Sequence, residues 1–322
     1  MALCNIITIG GAVEDITFHT DEGILINNKQ DVLRQKLLAF EYGAKIKINK
    51  TFSFCGGGAL NTAVNFSCLG FQTTILTAIG NDCRGKKIIQ NLNKQKINTK
   101  LIQKIKDKPT GFSLILVDQN NEHIIFLDRG ANSQLSINNY QLSILKQASW
   151  VYLTSLSGDW QNILERLFSV KNAEDHAGKI AWNPGTVQLQ AGLNGLKKYL
   201  KKTNVLILNK DEALELAVSL SRQNSRISSG DIQDIKNLLK ILKESGPEII
   251  VITNGKKGAY AYNGKKYYYQ KSVKIKKQMN TIGVGDIFGS SFVAGLELYN
   301  NDMQKSMRLA AKNAALTASR GR

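Results

Sequence analysis

The stretch NTIGVGDIFGSSFVAG, residues 280–295, places an acid, Asp286, just after two closely spaced glycines, and this combination could support chemistry. Gly283 and Gly285 allow the backbone to turn tightly and to approach a ligand without a Cβ in the way. The apolar residues that follow have helical spacing, and free N–H groups at a helix N terminus favour a bound anion. A phosphate there would repel Asp286, so we interpret this acid as a general base for an attacking hydroxyl. In the alternative interpretation, Asp286 only caps the helix.

A second glycine cluster, CGGGALNTAVNFSCLG at residues 55–70, also precedes a predicted helix. Gly56 and Gly57 would let a ligand contact the backbone, and Asn61 could bond sugar hydroxyls. The alternative is a tight strand-to-helix connection in which Asn61 is a capping residue. Asp15 follows the first predicted strand by a few residues, where open α/β sheets place ligand-binding groups, although a single Asp in such a loop is more often a turn residue.

Polar residues also stand near the ends of two later predicted strands. In VLILNKDEAL, Glu212 could orient hydrated magnesium near phosphates. Asn209 with Glu212 is an almost equally good description of an N-cap and its capping box. Thr253, Gly255 and Gly258 form a predicted turn between two strands, which by itself indicates only a hairpin.

The missing motifs narrow the choice of phosphate site. Neither GKK segment, at Gly255 or at Gly264, continues into the phosphate-loop sequence G-x-x-x-x-G-K-[ST], and no Rossmann G-x-G-x-x-G follows the first strand. If nucleotide phosphates are bound, Gly283 and Gly285 must help to hold them. The three histidines are isolated from one another, and we assign them no catalytic role.

Short β-rich segments alternate with amphipathic helical segments, which predicts an α/β fold with a mostly parallel sheet flanked by helices. The predicted strands are residues 5–9, 73–79, 112–117, 123–127, 150–153, 179–182, 205–208, 249–253 and 258–262. The predicted helices include residues 60–69, 85–95, 160–169, 211–219 and 232–244. Residues 16–54 and 100–127 alternate like strands with no helix between, so we expect a small β-sheet lid on a single domain, residues 1–322.

The net charge of +18 comes from 43 Lys and Arg against 25 Asp and Glu. The excess is mostly lysine in scattered pairs, so we favour a solvated surface over a nucleic-acid partner. The sequence has no apolar run of 18 residues and no basic segment before its apolar start, which predicts neither a membrane span nor a signal peptide. Four cysteines without metal-site or disulfide-framework spacing make a reducing cytoplasm the expected location.

Taken together and in this order, the motifs resemble those of the ribokinase-like carbohydrate kinases, the phosphofructokinase B family. GGGALNTAVNFSCLG is similar to the family's first signature, NKDE to its N-x-x-E motif, TNGKKG to its T-x-G-x-x-G segment, and NTIGVGD to its D-T-x-G-A-G-D signature. The resemblance runs from about residue 6 to residue 320. It implies the ribokinase-like fold and transfer of the ATP γ-phosphoryl group to a hydroxyl of a sugar or nucleoside, with Mg²⁺.

The resemblance also implies a role for each matching residue. Asp286 would be the catalytic base, and the amides of Gly283, Val284 and Gly285 would form the anion hole. The substrate's hydroxyls would be held by Asp15, Gly56, Gly57 and Asn61. The magnesium and phosphates would be organised by Asn209 and Glu212, with Glu212 nearest the metal. The nucleotide site would be lined by Asn183, Thr253, Gly255, Gly258 and Asn313. The lid would close to exclude water and, as in relatives, could pair two subunits into a homodimer.

Departures from the family pattern refine these expectations. Asn280 stands where the signature usually has an Asp that helps to bind the ion in potassium-activated members, which puts a monovalent-cation site in question. Val284 replaces the usual Ala and adds bulk beside the phosphates. Gly58 stands where ribokinase proper has a lysine, which argues against strict ribokinase identity. Relatives commonly continue past the position of Arg320 with a last helix, so we expect a nucleotide pocket that is more open or is completed by a partner.

Our first hypothesis is a cytoplasmic, Mg-ATP-dependent kinase of a small sugar, with a nucleoside kinase as the alternative. A sugar- or nucleotide-binding protein of the same fold without catalysis is a different class of function. Asp286 together with both glycines argues against it, because a pure binder has no need of a base. Polyanion binding rests on charge alone and predicts strongly salt-dependent association with DNA or RNA.

Overall fold

The computed structural model describes residues 3–28, 36–120, 122–170, 178–221, 234–275 and 282–319. Its strands are β1 Leu3–Ile9, β2 Val13–His19, β3 Ile24–Asn27, β4 Lys36–Ala39, β5 Lys50–Gly56, β6 Phe71–Leu76, β7 Ala78–Gly80, β8 Gln103–Ile105, β9 Thr110–Val117, β10 His123–Gly130, β11 Trp150–Leu153, β12 Lys179–Trp182, β13 Val205–Asn209, β14 Ile249–Thr253, β15 Ala259–Tyr262 and β16 Tyr267–Gln270. Its α-helices are α1 Gly58–Cys68, α2 Cys83–Lys94, α3 Asn139–Lys146, α4 Trp160–Val170, α5 Thr186–Gln190, α6 Gly192–Leu200, α7 Lys210–Ser221, α8 Ile235–Glu244, α9 Val284–Leu298 and α10 Met303–Ser319.

The main sheet has eight strands in the order β16-β15-β14-β13-β12-β11-β1-β6. From β6 to β14 all neighbours run parallel, and β15 and β16 complete an antiparallel edge. The predicted α/β class with a mostly parallel sheet is therefore confirmed. The chain leaves β1 for β6 on one side and later returns to β11 on the other, so the topological switch lies between β1 and β11.

Helices cover both faces of this sheet because successive strand residues point to opposite sides. Val151 and Leu153 of β11 pack in a core with residues of α3 to α8, whereas Trp150 and Tyr152 pack with α9 and α10. All four side chains are at most 1% exposed. Burying one large apolar side chain contributes about 1.5–3 kcal/mol, so these two layers fix the strand ends that border the site described below.

A separate four-stranded sheet, in the order β10-β9-β2-β5, is called the small sheet here. It begins at Val13, three residues before the predicted lid, and β8 pairs with β7 instead of joining it. Glu14 of β2 ties the small sheet to α2, through Arg84 Nε at 3.0 Å and Lys87 Nζ at 2.7 Å. Asn132, just beyond β10, accepts a hydrogen bond from the Ala12 amide and donates one to the Ala12 carbonyl, which holds the β1–β2 connection.

Other departures from the sequence prediction are local. The predicted strand 73–79 is broken at Thr77, because Ala78–Gly80 turns away to pair with β8. Helices α3, α5, α6 and α10 are additional to the predicted ones. The predicted helix at 232–244 is described from Ile235 onward, and its first residues lie outside the described ranges. Within the described ranges, no helix has both the length and the apolar character needed to cross a bilayer.

Candidate active site

A cavity of about 230 Å³ lies at the carboxyl ends of β1 and β11, at the topological switch of the main sheet. Its floor includes Gly10 and Gly11, which follow β1, and the segment 155–157, which follows β11. One wall is the inner face of the small sheet. The cavity brings together five of the predicted site residues, Asp15, Gly57, Asn61, Gly283 and Asp286.

Helix α9 begins at Val284, two residues before the predicted start at Asp286, so that Gly285 lies inside its first turn. Gly283 is its N-cap residue with φ 74°, a left-handed conformation that glycine adopts without steric cost. The first intrahelical bond of this turn runs from the Ile287 amide to the Gly283 carbonyl at 3.0 Å, so the amides of Val284 and Gly285 precede the helical ladder. Gly285 is exposed, and apart from its own helical turn no described atom lies within 4 Å of where its Cβ would be. This turn therefore leaves room for a ligand to approach the backbone.

Asp286 occupies the third position of α9, not the N-cap position, so the capping interpretation does not describe it. Its carboxylate accepts a hydrogen bond from Asn61 Nδ2 at 2.8 Å. Asn61 is 7% exposed and lies inside α1, whose N-cap is Gly57, so it is not a cap either. One turn further along α1, Asn65 donates to Ser290 Oγ at 2.8 Å on α9. The two helices are thus joined by side-chain amides, and one of these amides fixes the predicted base.

Asp15 lies in strand β2, which corrects its interpretation as a turn residue in a loop. It is 6% exposed, and its carboxylate lies against Gly56, where an added Cβ would overlap it. Gly57 has φ 96°, and a Cβ there would overlap the Gly11 carbonyl. Both glycines are therefore required by close contacts within the protein, and they bring the start of α1 against the Asp15 strand.

Apart from Asn313, the residues predicted for the nucleotide site lie at or just beyond the carboxyl ends of β12, β13 and β14. Asn209 and Thr253 lie side by side on the neighbouring strands β13 and β14, at the carboxyl end of the sheet. Asn183 Nδ2 donates to the Ile207 carbonyl at 3.0 Å. Gly255 begins the 3₁₀ turn between β14 and β15 and Gly258 follows it, with φ values of 50° and 97°. The hairpin is therefore present, and its glycines border the same edge as Asn209.

Asn313 lies away from this edge, in the packing between α9 and α10. Its Nδ2 donates to Ser291 Oγ at 3.0 Å, and Asn65 Nδ2 donates to the same hydroxyl at 3.0 Å. Ser291 is fully buried. The contacts of Asn313 thus give it a packing role that links α10 to the helix carrying Asp286.

Asn209 and Glu212 form a reciprocal capping box at the start of α7. The Asn209 amide donates to Glu212 Oε2 at 2.8 Å, and the Glu212 amide donates to Asn209 Oδ1 at 2.9 Å. Burial raises the pKa of Glu212, and the negative charge of Asp286 raises it further. A half-buried carboxylate destabilised by a second carboxylate is a site that a bound cation would stabilise.

The donor set suits magnesium, because Mg²⁺ is usually bound by one or two carboxylates and keeps several waters. Within the described residues, no group of three or more His, Cys, Asp or Glu side chains could hold a metal ion. Glu212 therefore fits a hydrated ion that is shared with phosphates better than an all-protein metal cage. Asn280, the position that bears on a monovalent cation, lies outside the described residues.

Several cavity residues were missed by sequence reasoning, and Arg129 is the charged one among them. Arg129, the next-to-last residue of β10, extends along the same wall as Ile125 and Leu127. The sequence did indicate that Arg129 shares a face with residues 125 and 127, because side chains alternate between the two faces along a strand. Nothing in the sequence, however, showed that this face borders the cavity rather than solvent.

Comparison with known proteins agrees with this architecture. The pfkB family of carbohydrate kinases matches residues 30–322. An uncharacterized sugar kinase of Archaeoglobus fulgidus is 24% identical over 246 residues, which are 76% of this chain and 91% of that protein. A nucleoside kinase of Methanocaldococcus jannaschii, an archaeal member of the ribokinase family, superposes with a TM-score of 0.76 at 20% identity, over 99% of this chain and 93% of that one. Arabidopsis thaliana ribokinase complexed with ribose and ATP gives a TM-score of 0.77 at 17% identity, with coverage of 99% and 93%. The ribokinase fold predicted from the motifs is thereby confirmed.

Proposed function

The chain belongs to the pfkB family of carbohydrate kinases, phosphotransferases with an alcohol group as acceptor, and from this premise we propose that it transfers the γ-phosphoryl group of ATP to a hydroxyl of a small sugar. The observation that carries the proposal is the placement of Asp286. This acid faces a cavity at the topological switch, from the first turn of a helix that starts at a left-handed glycine.

Asp286 acts as the general base in this proposal. Its carboxylate takes the proton of the acceptor hydroxyl as the oxygen attacks the γ-phosphorus, the bond from that phosphorus to the bridging oxygen breaks and ADP leaves, while Asn61 holds the carboxylate in place. The negative charge that develops on the transferred group is stabilised by the amides of Gly283, Val284 and Gly285, at the positive end of α9. The base and the anion site belong to one helical turn, so their separation is set by helix geometry.

Asp15 and Asn61 hold the acceptor's hydroxyls, and the turns at Gly56 and Gly57 bring the backbone close to it. The cavity volume supports a sugar over a nucleoside. At about 230 Å³ it is smaller than the roughly 300–1,000 Å³ of sites for drug-sized ligands. A nucleoside is the second candidate, since one structural neighbour is a nucleoside kinase.

ATP is the proposed phosphoryl donor, along the edge formed by Asn183, Asn209, Thr253, Gly255 and Gly258. Glu212 would hold hydrated Mg²⁺, which supplies positive charge between the phosphates when it is bound. The small sheet acts as a lid that keeps water from competing as acceptor. We place this chemistry in the cytoplasm, where a reducing environment agrees with four free cysteines in the described structure.

The proposal is tested by ADP release from Mg-ATP across pentoses, hexoses, sugar acids and nucleosides. Wild type is compared with Asp286→Asn and with Asp159→Asn, which makes the same change at an exposed position. Acceptor-dependent turnover that Asp286→Asn reduces by about 10²–10⁴-fold, with Asp159→Asn unchanged, supports the kinase. If every acceptor gives only the background of Asp286→Asn while sugars or nucleotides still bind, the protein is a binder of the same fold and the proposal fails.

We also propose a homodimer formed through the outer face of the small sheet. Ile124 and Phe126 of the edge strand β10 are 38% and 56% exposed, on the face opposite the cavity. Exposed apolar side chains on an edge strand favour association with another chain. Sedimentation should show a dimer for wild type and a monomer for Phe126→Glu. Tyr140→Glu, at a 58% exposed position of α3, is the matched control and should stay dimeric.

A further inference from the structure

Arg129 gives the cavity a positive charge on one side. It lies on the inner face of β10 with Ile125 and Leu127, which are apolar. Among the described lining residues it is the only cationic side chain, since the others are glycines and apolar, hydroxyl, amide or acidic residues. The wall that the small sheet presents to the ligand is therefore apolar with one guanidinium at its end.

The guanidinium of Arg129 has no partner among the residues that the structure describes. Within the described residues it makes neither a salt bridge nor a hydrogen bond. Burial lowers the pKa of Arg129, and no neighbouring carboxylate offsets that effect. By contrast, Arg84 on the opposite side of the small sheet pairs with Glu14 at 3.0 Å. A partly desolvated, unpaired charge costs free energy, and an anionic ligand group would recover it.

The register of the small sheet separates Arg129 from the acidic part of the cavity. Asp15 pairs with Ser113, and Ser113 pairs with Leu127, so Arg129 stands two strands across and two residues along from Asp15. With ordinary strand spacing and rise, their Cα atoms are about 12 Å apart. The two side chains can therefore hold opposite ends of one small molecule, with hydroxyls at Asp15 and an anion at Arg129.

We propose that the acceptor is a sugar acid, whose carboxylate is bound by Arg129 at the end of the cavity opposite Asp15. This inference rests on the proposed kinase function and specifies its substrate class. The planar guanidinium matches a carboxylate with two parallel hydrogen bonds. A single cation also fits the single charge of a carboxylate better than a phosphate dianion. A neutral sugar would leave the guanidinium unpaired, so the same residue rejects neutral acceptors.

The test measures kcat/KM for matched acceptors: hexonates and hexuronates, the neutral aldoses of the same configuration, and the corresponding hexose 6-phosphates. Enzymes are wild type, Arg129→Gln, Arg129→Lys and the exposed control Arg308→Gln. We expect wild type to prefer a carboxylated sugar. Arg129→Gln should lower kcat/KM for that acceptor by about 100-fold or more and should raise it for the neutral sugars, which no longer leave a buried charge unpaired, with Arg129→Lys in between. Equal melting temperatures show that each variant is folded.

Three kinetic results would overturn the inference while leaving the kinase intact. They are a wild-type preference for neutral sugars that Arg129→Gln does not alter, a preference for hexose phosphates, and an effect of Arg129→Gln confined to the KM for ATP. Calorimetric binding of the same hexonates and hexuronates without nucleotide separates the two proposals. If no acceptor turns over, the proposed kinase activity fails. In that case, binding of a sugar acid to wild type that Arg129→Gln abolishes would still support the carboxylate subsite. Failure of wild type to bind any sugar acid would overturn the subsite.

Discussion

The side-chain amide of Asn61 donates a hydrogen bond to the carboxylate of Asp286 across 2.8 Å, and so joins two residues 225 positions apart in the sequence. Each residue belongs to a helix that begins at a glycine with positive φ, Gly57 for α1 and Gly283 for α9. The two glycine clusters of the sequence thus converge on one carboxylate.

Replacement of Asn61 by Ala should lower kcat more than it raises KM for the acceptor. The carboxylate of Asp286 would lose a charged hydrogen bond worth about 1.5–3 kcal/mol, so we expect kcat to fall roughly 10–100-fold. Steady-state kinetics against Asn65→Ala distinguish positioning of the base from helix packing, because Asn65 bonds Ser290 and Ser291 instead. An equal loss of kcat in both variants would contradict a specific role of Asn61.

Replacement of Gly285 by Ala should separate stability from activity. Apart from its own helical turn, no described atom lies within 4 Å of the added methyl group, and Ala is about 1 kcal/mol better than Gly in a helix. The melting temperature should therefore stay equal or rise by a few degrees, whereas kcat/KM for ATP should fall about tenfold or more, because the methyl group occupies the approach to the amides. Gly195→Ala, in α6, is the control; unchanged ATP kinetics in Gly285→Ala would contradict an anion site at this turn.

Replacement of Gly56 by Ala should be costly only while Asp15 is present. The new methyl group overlaps the Asp15 carboxylate, so we expect a loss of about 1–3 kcal/mol in the free energy of unfolding. Truncation of Asp15 to Ala makes room, and Gly56→Ala should then cost less than about 1 kcal/mol. Urea unfolding of the two single variants and the double variant gives the coupling directly. Additive effects would show that the overlap is relieved in some other way.

The effect of replacing Glu212 by Gln on the free energy of unfolding should depend on pH, and the variant should gain stability relative to wild type as pH rises. The folded protein raises the pKa of Glu212, so the folded state holds its proton more tightly than the unfolded state does. In wild type, the tighter proton binding by Glu212 stabilises the folded protein at acid pH. This stabilisation is lost as the pH rises from the ordinary pKa of a Glu side chain through the raised pKa of folded Glu212. The Gln variant keeps the capping box without titrating.

Unfolding free energies measured from pH 4 to pH 8 check this expectation, with the exposed Glu122→Gln as control for the loss of one charge. The free energy of unfolding of Glu212→Gln, relative to that of wild type, should increase as pH rises. A difference that is constant with pH would contradict it. At neutral pH the same variant should need more Mg²⁺ for half-maximal ADP release, since the proposed magnesium ligand has lost its charge.

The main sheet was largely predictable because its strands are short apolar segments bounded by turns. Seven of its eight strands lie within a few residues of their predicted positions, whereas the edge strand β16 was not predicted. The motifs identified the glycine turns for a local reason, since Gly57 and Gly283 require φ values that glycine alone adopts freely. The partner of Asp286 and the orientation of Arg129 were not predictable. Both depend on how the small sheet and α1 pack against the main sheet, which no local pattern specifies.

The position of β1 between β6 and β11 also bears on how the protein is made. The emerging polypeptide can pair β1 with β6 early, but the other edge of β1 stays open until Trp150–Leu153 has been synthesised. An unpaired apolar edge in a half-made sheet is a template for association with other chains. The site at the β1–β11 junction therefore assembles late in synthesis, and a fragment that ends before residue 150 should aggregate rather than fold.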